Sequence, residues 1–382
     1  MGFIALLLAA AAAGSAALIV VPAPSKTLAL AAIVASEKSL FVAAAAVVAA
    51  LIALGALRRG GRVAPVLAIL LSGAAFGIGL LPAAQARALA KVRGIALDPV
   101  RYLTAPIDGE GPGTPDKTVE YADGRMVDVY VARAADPPKP ARPIVVIHGG
   151  FWSAGERGEA TISSRRLAEL GFTVFDIDYR LAPQPNWQAA IGDVKCAIGW
   201  VKRHAKTDDW TVDTSKLTLL GRSAGGHLVL MAAYAPDDPK LPATCDTGDA
   251  DTRVSAVVAL YAPTELVWGY EHPSNPRAAD SQERMRAFLG GTPAEIPDRY
   301  RALSPVFRVG PSSPRTLLAH GGRDQFLGSH HMVLLDARLQ SAGVPHETLY
   351  IPYAQHGFDF VVGGLSSQLL EATLLKFLDG AR

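Results

Sequence analysis

A serine stands between two glycines in Gly221-Arg222-Ser223-Ala224-Gly225. The apolar run 217–220 precedes it, and 226–234 reads as a helix. A serine attacks an acyl carbon only when its hydroxyl is lifted clear of its own sheet and set beside a base. A sharp strand-to-helix turn does the lifting. Gly221 and Gly225 suit that turn, because side chains two residues to either side would collide where strand and helix cross. A second apolar run, 143–147, ends in His148-Gly149-Gly150-Phe151-Trp152. Acyl transfer passes through an oxyanion that needs N–H donors fixed in advance, and glycines let a backbone come close to it. The serine also needs a base, and the base an orienting carboxylate. Strand-like 315–321 runs into a glycine turn that ends in Asp324, and strand-like 347–351 is followed by Gln355-His356-Gly357-Phe358. The order is then Ser223, Asp324, His356. Of the nine histidines, His320 competes with His356 but lies inside the strand end before Asp324. His148 reads as a prop for its glycine turn.

These residues need a scaffold. A hairpin is expected from 118–121 and 126–131 around Ala122-Asp123-Gly124-Arg125. Strands then alternate with helical patterns at 158–170, 187–205, 225–234, 329–342 and 366–378. Such alternation predicts an α/β fold with a mostly parallel sheet covered on both faces. Asp178 and Arg180, after strand 172–177, read as loop ties. Residues 263–305 form an insertion that either lies over the site or is a surface excursion with a small satellite core. Trp152, Trp268, Tyr270 and Phe358 are the candidate pocket walls. Cys196 reads as core and Cys245 as part of a polar excursion, so no disulfide is expected between them. His330 and His331 are adjacent and cannot share a helical face. No metal and no organic cofactor are expected.

The amino-terminal quarter differs in kind. Lys26 is the first charged residue. Uncharged stretches at 3–21, 39–57 and 63–81 are each long enough to span a bilayer. They inflate the chain's hydrophobic content, which is 50% overall. A cleaved signal peptide would carry basic residues before its apolar region, and Met1-Gly2 offers none. The predicted organisation is a transmembrane module at 1–86, a glycine- and proline-rich linker at 87–117 and a catalytic domain at 118–382. The module is expected to anchor the chain in the cell membrane and to add nothing to the site. The arginine hairpin Arg58-Arg59-Gly60-Gly61-Arg62 favours a cytoplasmic loop there and an extracytoplasmic catalytic domain. Lys26, Lys38, Arg87, Lys91, Arg93 and Arg101 count the other way. A net charge of +2 gives no case for nucleic acid, and the oligomeric state cannot be read from the chain.

From about Thr118 onward the chain resembles the α/β-hydrolase carboxylesterases of the hormone-sensitive-lipase-like group. Five motifs in order carry the resemblance: His148-Gly149-Gly150-Phe151-Trp152, Asp178-Tyr179-Arg180-Leu181-Ala182-Pro183, Gly221 to His227, His320-Gly321-Gly322-Arg323-Asp324 and Gln355-His356-Gly357-Phe358. The resemblance implies an α/β-hydrolase fold and a serine carboxylesterase acting on a small-molecule or lipid ester. It implies Ser223, Asp324 and His356 as catalytic residues. Backbone N–H groups of Gly149, Gly150, Phe151 and Ala224 would form the oxyanion hole. The chain departs from the group at Phe151, where a third glycine is usual, and at Gln184, where glutamate is common. His-Gly-Gly followed by two aromatics also resembles arylformamidases and the smaller bacterial acetyl- and feruloyl-esterases. An amidase or arylformamidase with the same three residues is therefore one alternative, and a non-catalytic membrane scaffold of the same fold is another. A peptidase of the prolyl-oligopeptidase kind fits less well, because those enzymes carry tyrosine at the position of Ala224.

Overall fold

The computed structural model describes residues 1–106, 113–133 and 140–380. Among the described residues there are eight strands: β1 Lys117–Ala122, β2 Arg125–Tyr130, β3 Arg142–Ile147, β4 Phe172–Ile177, β5 Thr218–Arg222, β6 Ala256–Leu260, β7 Arg315–Gly321 and β8 His346–Ile351. They form one sheet in the order β1-β2-β4-β3-β5-β6-β7-β8. The β1–β2 hairpin pairs antiparallel with β4, and every pair from β4 to β8 is parallel. This is the predicted mostly parallel α/β sheet of an α/β-hydrolase. Along β3, Val145 and Ile147 face one layer and Ile144 and Val146 the other, all buried. A strand apolar on both faces needs helices on both.

Thirteen α-helices are described: α1 Gly2–Val20, α2 Lys26–Glu37, α3 Ser39–Arg58, α4 Val63–Arg93, α5 Pro99–Thr104, α6 Thr161–Glu169, α7 Trp187–Arg203, α8 Ala224–Tyr234, α9 Leu266–Glu271, α10 Ser281–Leu289, α11 Pro297–Ala302, α12 His330–Ser341 and α13 Leu365–Asp379. α7, α8 and α12 cover one face of the sheet, and α6 and α13 the other. Helices α9 to α11 are the 263–305 insertion. Phe288 of α10 and Tyr300 of α11 are fully buried against the same core as α8. Each such side chain contributes on the order of 2 kcal/mol by burial.

Helices α1, α3 and α4 are each long and apolar enough to cross a membrane. Their inward faces are small: Ala9, Ala16, Ala46, Ala49, Ala53 and Ala75 are buried, while Phe3, Leu7, Leu51 and Leu70 point outward. A Cβ at Gly79 would come 3.0 Å from Ser39 O, so α3 and α4 meet backbone to backbone. Small residues inside and large apolar ones outside is the reverse of a water-soluble bundle. Helix α4 is about 46 Å long at 1.5 Å per residue, well beyond the ~30 Å of a hydrocarbon layer. Its end leaves the bundle and packs Ala83, Ala86 and Ala90 into the hydrolase core.

That extension changes the reading of the 87–117 linker. Residues up to 93 belong to α4, and residues 99–104 form α5. Arg93 bonds Glu347 and Thr348 O, and Arg101 pairs with both carboxylate oxygens of Glu371. The glycine-rich residues 107–112 lie outside the described residues. Helix α2 also lies on the domain, where buried Glu37 accepts a 3.0 Å bond from Ser366 N.

A second difference concerns the cysteines. Cys196 and Cys245 form a disulfide with Cα atoms 5.5 Å apart, across 49 residues. The polar excursion folds back onto α7. Thr244 N donates to Gly192 O, and Thr244 Oγ1 bonds Asp193. Side chains at Gly192 and Gly199 would strike Thr244 and Thr247. Those glycines are the signal that a loop lies flat on the helix. In a chain-entropy picture a bridge over such a loop stabilises by about 4 kcal/mol.

Candidate active site

Register brings the site loops together. Ile147 pairs with Gly221, and Arg222 pairs with Leu260. The carboxyl ends of β3, β5 and β6 therefore lie side by side, the usual location for ligands in parallel sheets. Ser223 follows β5 with φ 53 and ψ −119, and Ala224 begins α8. A Cβ at Gly221 would come 2.3 Å from Gly225 O. One at Gly225 would come 2.3 Å from the carbonyl oxygens of Ile147 and His148. The turn thus nests against the end of β3, and only glycine leaves room. Holding serine at positive φ costs on the order of 1–3 kcal/mol, which the surrounding sheet sustains.

The His148–Trp152 loop is also strained. Gly150, Phe151 and Trp152 all have positive φ, at 104, 54 and 57. Gly149 O accepts from Tyr179 Oη at 3.1 Å and lies 2.8 Å from His148 Nδ1. Gly150 O accepts from Ser153 N and Ala154 N at 3.1 and 2.9 Å. A trans peptide aims its N–H opposite its C=O. The N–H groups of Gly150 and Phe151 therefore point away from these partners. Burial lowers the His148 pKa to about 4 and keeps the ring neutral, stacked on Tyr179 at 4.3 Å. His148 is the prop that its position suggested.

Asp324 lies beyond β7 and His356 beyond β8, and the structure joins them: Asp324 Oδ2 is 2.7 Å from His356 Nδ1. The other oxygen, Oδ1, accepts from Phe326 N and Leu327 N at 2.9 and 2.8 Å. His320 Nε2 is 3.2 Å from Asp324 Oδ2 and also bonds Leu327 O. Burial opposes the charge, but His356 and His320 outweigh it and hold the Asp324 carboxyl well below the usual carboxylate range. His320 is thus a second partner of the same carboxylate, buried at 1% exposure, where its ring is closed to substrate. The i, i+4 spacing of His320 and Asp324 was the available signal. Tyr261 completes the setting. Its ring lies 4.4 Å from His356, and its hydroxyl donates to Asp359, which also bonds Arg222. Ser223 N donates to the neighbouring Leu260 O at 2.9 Å, so nucleophile turn and imidazole flank one tyrosine.

The candidate pocket walls sit differently from one another. Trp152 is buried and stacks on Phe288 at 4.4 Å, behind the glycine loop. Phe358 is fully buried against Tyr261, beneath His356. Trp268 packs on His330 and His331, at the start of α12. Tyr270 packs on Tyr300 within the insertion. Two of the four therefore brace the glycine loop and the His356 loop from inside. The insertion reaches the acid directly, because Ser274 Oγ donates to Asp324 O. Arg180 ties to Asp193 and Asp178 to Arg157, the loop ties that the sequence suggested. Among the described residues no group of three or more His, Cys, Asp or Glu could hold a metal ion.

A family model described as BD-FAE matches residues 127–339. Esterase LipC of Mycobacterium tuberculosis is 33% identical over 68% of this chain and 64% of its own length. Esterase LipQ of the same organism is 29% identical over 66% and 60%. The chain spans about three fifths of the length of these curated relatives. Among solved structures, the butyrate-bound esterase Est2 of Thermogutta terrifontis is 25% identical with a TM-score of 0.54, over 70% of this chain and 94% of that one. A bifunctional GH43-CE protein of Bacteroides eggerthii has a TM-score of 0.58 at 23% identity, over 69% and 37%.

Proposed function

The chain belongs to the BD-FAE family of α/β-hydrolases, and on that footing we propose that it is a membrane-anchored serine carboxylesterase. The observation that carries the reading is the Asp324–His356 hydrogen bond at the same sheet edge as the strained Ser223 turn. Ser223 Oγ attacks the ester carbonyl while His356 Nε2 takes its proton. Asp324 holds Nδ1–H and stabilises the imidazolium. The oxyanion is received by the N–H groups of Gly150, Phe151 and Ala224, with Gly149 shaping the turn. The acyl–oxygen bond breaks, and His356 returns the proton to the leaving alcohol. Water, activated by His356, then releases the acid from Ser223.

The acyl group is short to medium. Phe151 sits at positive φ where a third glycine would open the loop, and Trp152 is wedged behind it. The Thermogutta terrifontis esterase holds butyrate in its structure. A panel of p-nitrophenyl esters tests this reading, with an anilide and a formamide included. We expect kcat/KM for the C4 ester to exceed that for C16 by at least about tenfold, or 1.4 kcal/mol, measured below micelle formation. Faster C16 turnover would overturn the acyl preference, and a faster formamide would favour the amidase reading.

We place the catalytic domain outside the cytoplasm. The Cys196–Cys245 bridge supports an oxidising compartment. Three of the basic residues on the domain side are taken up by the domain: Lys38 bonds Tyr102 O, Arg93 pairs with Glu347 and Arg101 with Glu371. Protease added to right-side-out vesicles should digest the domain. Digestion only after lysis would reverse the orientation.

A further inference from the structure

The loop between α1 and α2 is built into the active site. Ala23 N donates to Gln325 Oε1 at 2.6 Å, and Ala23 O accepts from Asn275 Nδ2 at 2.8 Å. Asn275 Nδ2 also reaches Gln325 Oε1 at 3.1 Å, and Gln325 Nε2 donates to Gln355 Oε1 at 3.2 Å. Gln325 follows the acid Asp324 and Gln355 precedes His356. All four residues are buried. Buried polar groups are costly to leave without partners, so this latch binds the N-terminal helices to both catalytic loops. Beside it, Leu18 of α1 and Ala29 of α2 share an apolar cluster with Phe151 and Phe326. Phe326 lies 5.3 Å from the His356 ring and 6.4 Å from Phe151.

We propose that the end of α1 and the loop after it form one wall of the active-site entrance, and that the substrate is a short-acyl ester of a long apolar alcohol whose tail reaches back into the bilayer. The inference rests on the esterase reading above and extends it to the substrate class. His356 must protonate the leaving oxygen, so the alcohol runs past a group that touches the imidazole. Two aromatic rings do so. Tyr261 is 1% exposed and closes the interior side. Phe326 is also buried, at 8% exposure, but its cluster continues through half-buried Phe151 to half-buried Leu18, in the last turn of a helix whose outward residues are apolar. An alkyl tail laid along Phe326 and Leu18 stays out of water from the reacting oxygen to the lipid, and each buried methylene favours binding. The acyl side, crowded by Phe151, takes the short group. The N-terminal helices, expected from the sequence to be an anchor alone, then help to select the substrate.

The test uses the full chain in lipid nanodiscs with a photoreactive long-chain alcohol, the product of the proposed reaction, which needs no turnover to bind. Cross-links mapped by mass spectrometry should fall on Phe151 and Phe326. They should exceed those from a photoreactive fatty acid of equal length by at least about tenfold. Leu18→Trp, which fills the seam, should remove them. Leu7→Trp, on the outward face of α1, should leave them. Cross-links confined to the outer faces of α1, α3 and α4, or equal labelling by the acid, would overturn the proposal, and the wild-type map alone decides this if Leu18→Trp does not fold. Turnover of p-nitrophenyl acetate in the same discs reports separately on the esterase reading. Turnover without cross-links at Phe326 sinks only the route, and cross-links without turnover sink only the chemistry.

Discussion

Ser223→Ala is expected to lower kcat for a short p-nitrophenyl ester by at least about 10³-fold while the protein stays folded. The nucleophile has no understudy at this position. Its neighbours Arg222 and Ala224 are buried, and Arg222 is engaged with Asp359. Alanine keeps a Cβ at the same positive φ, so the turn loses no room and gains no strain. The Gly221 and Gly225 contacts with backbone carbonyls are unchanged. Thermal unfolding should therefore move little, within the ±0.5 kcal/mol usual for a substitution that breaks no packing. What activity remains would come from the oxyanion donors acting on attack by water. Near-normal turnover by a folded variant would remove Ser223 from the mechanism.

Asp324→Asn should cost about 10⁴-fold in kcat, and the surroundings explain why the loss should be near the full value. Oδ1 of Asp324 accepts from the N–H groups of Phe326 and Leu327. An asparagine must keep its oxygen there, because its amide would otherwise set donors against donors. Its NH₂ then faces His356 Nδ1, at the oxygen position 2.7 Å away in the wild type. Histidine is driven to the tautomer with the proton on Nε2, which cannot accept from Ser223. The same NH₂ meets His320 Nε2, which must either set its own N–H against the amide or change tautomer and so lose its bond to Leu327 O. Steady-state kinetics above and below neutral pH would check this. An Asp324→Asn variant within tenfold of wild type would assign the orienting role to another carboxylate.

The sheet and the helices flanking it were legible because their signals are local. The pattern at 187–205 became Trp187–Arg203, and that at 225–234 became Ala224–Tyr234, as apolar residues at helical spacing had to face the sheet. The strand–turn–helix around Ser223 was legible from two glycines whose Cβ positions are filled by backbone. The partners of Asp324 were half legible. His356 follows a strand and a glycine follows it, but His320 looked like a rival for the same role and shares the carboxylate instead. The disulfide was hidden because Cys245 sits among polar residues, and only Gly192 and Gly199 mark where that loop lies. The junction between the N-terminal helices and the site left no trace at all. Its central contacts are the N–H and C=O of Ala23, and a backbone group has no residue type to read. The insertion's helices were obscured by proline, glycine and charge, since each of α9 to α11 is too short for periodicity to speak.

The proposed mechanism makes Ser223 a nucleophile activated by His356 and Asp324. The most direct measurement is the mass of tryptic peptides after full-length protein in detergent reacts with a fluorophosphonate at neutral pH. A single phosphonyl adduct on Ser223 is expected, formed much more slowly in Asp324→Asn and absent in Ser223→Ala. A folded protein that remains unlabelled, or an adduct on another residue with Ser223 untouched, would contradict it.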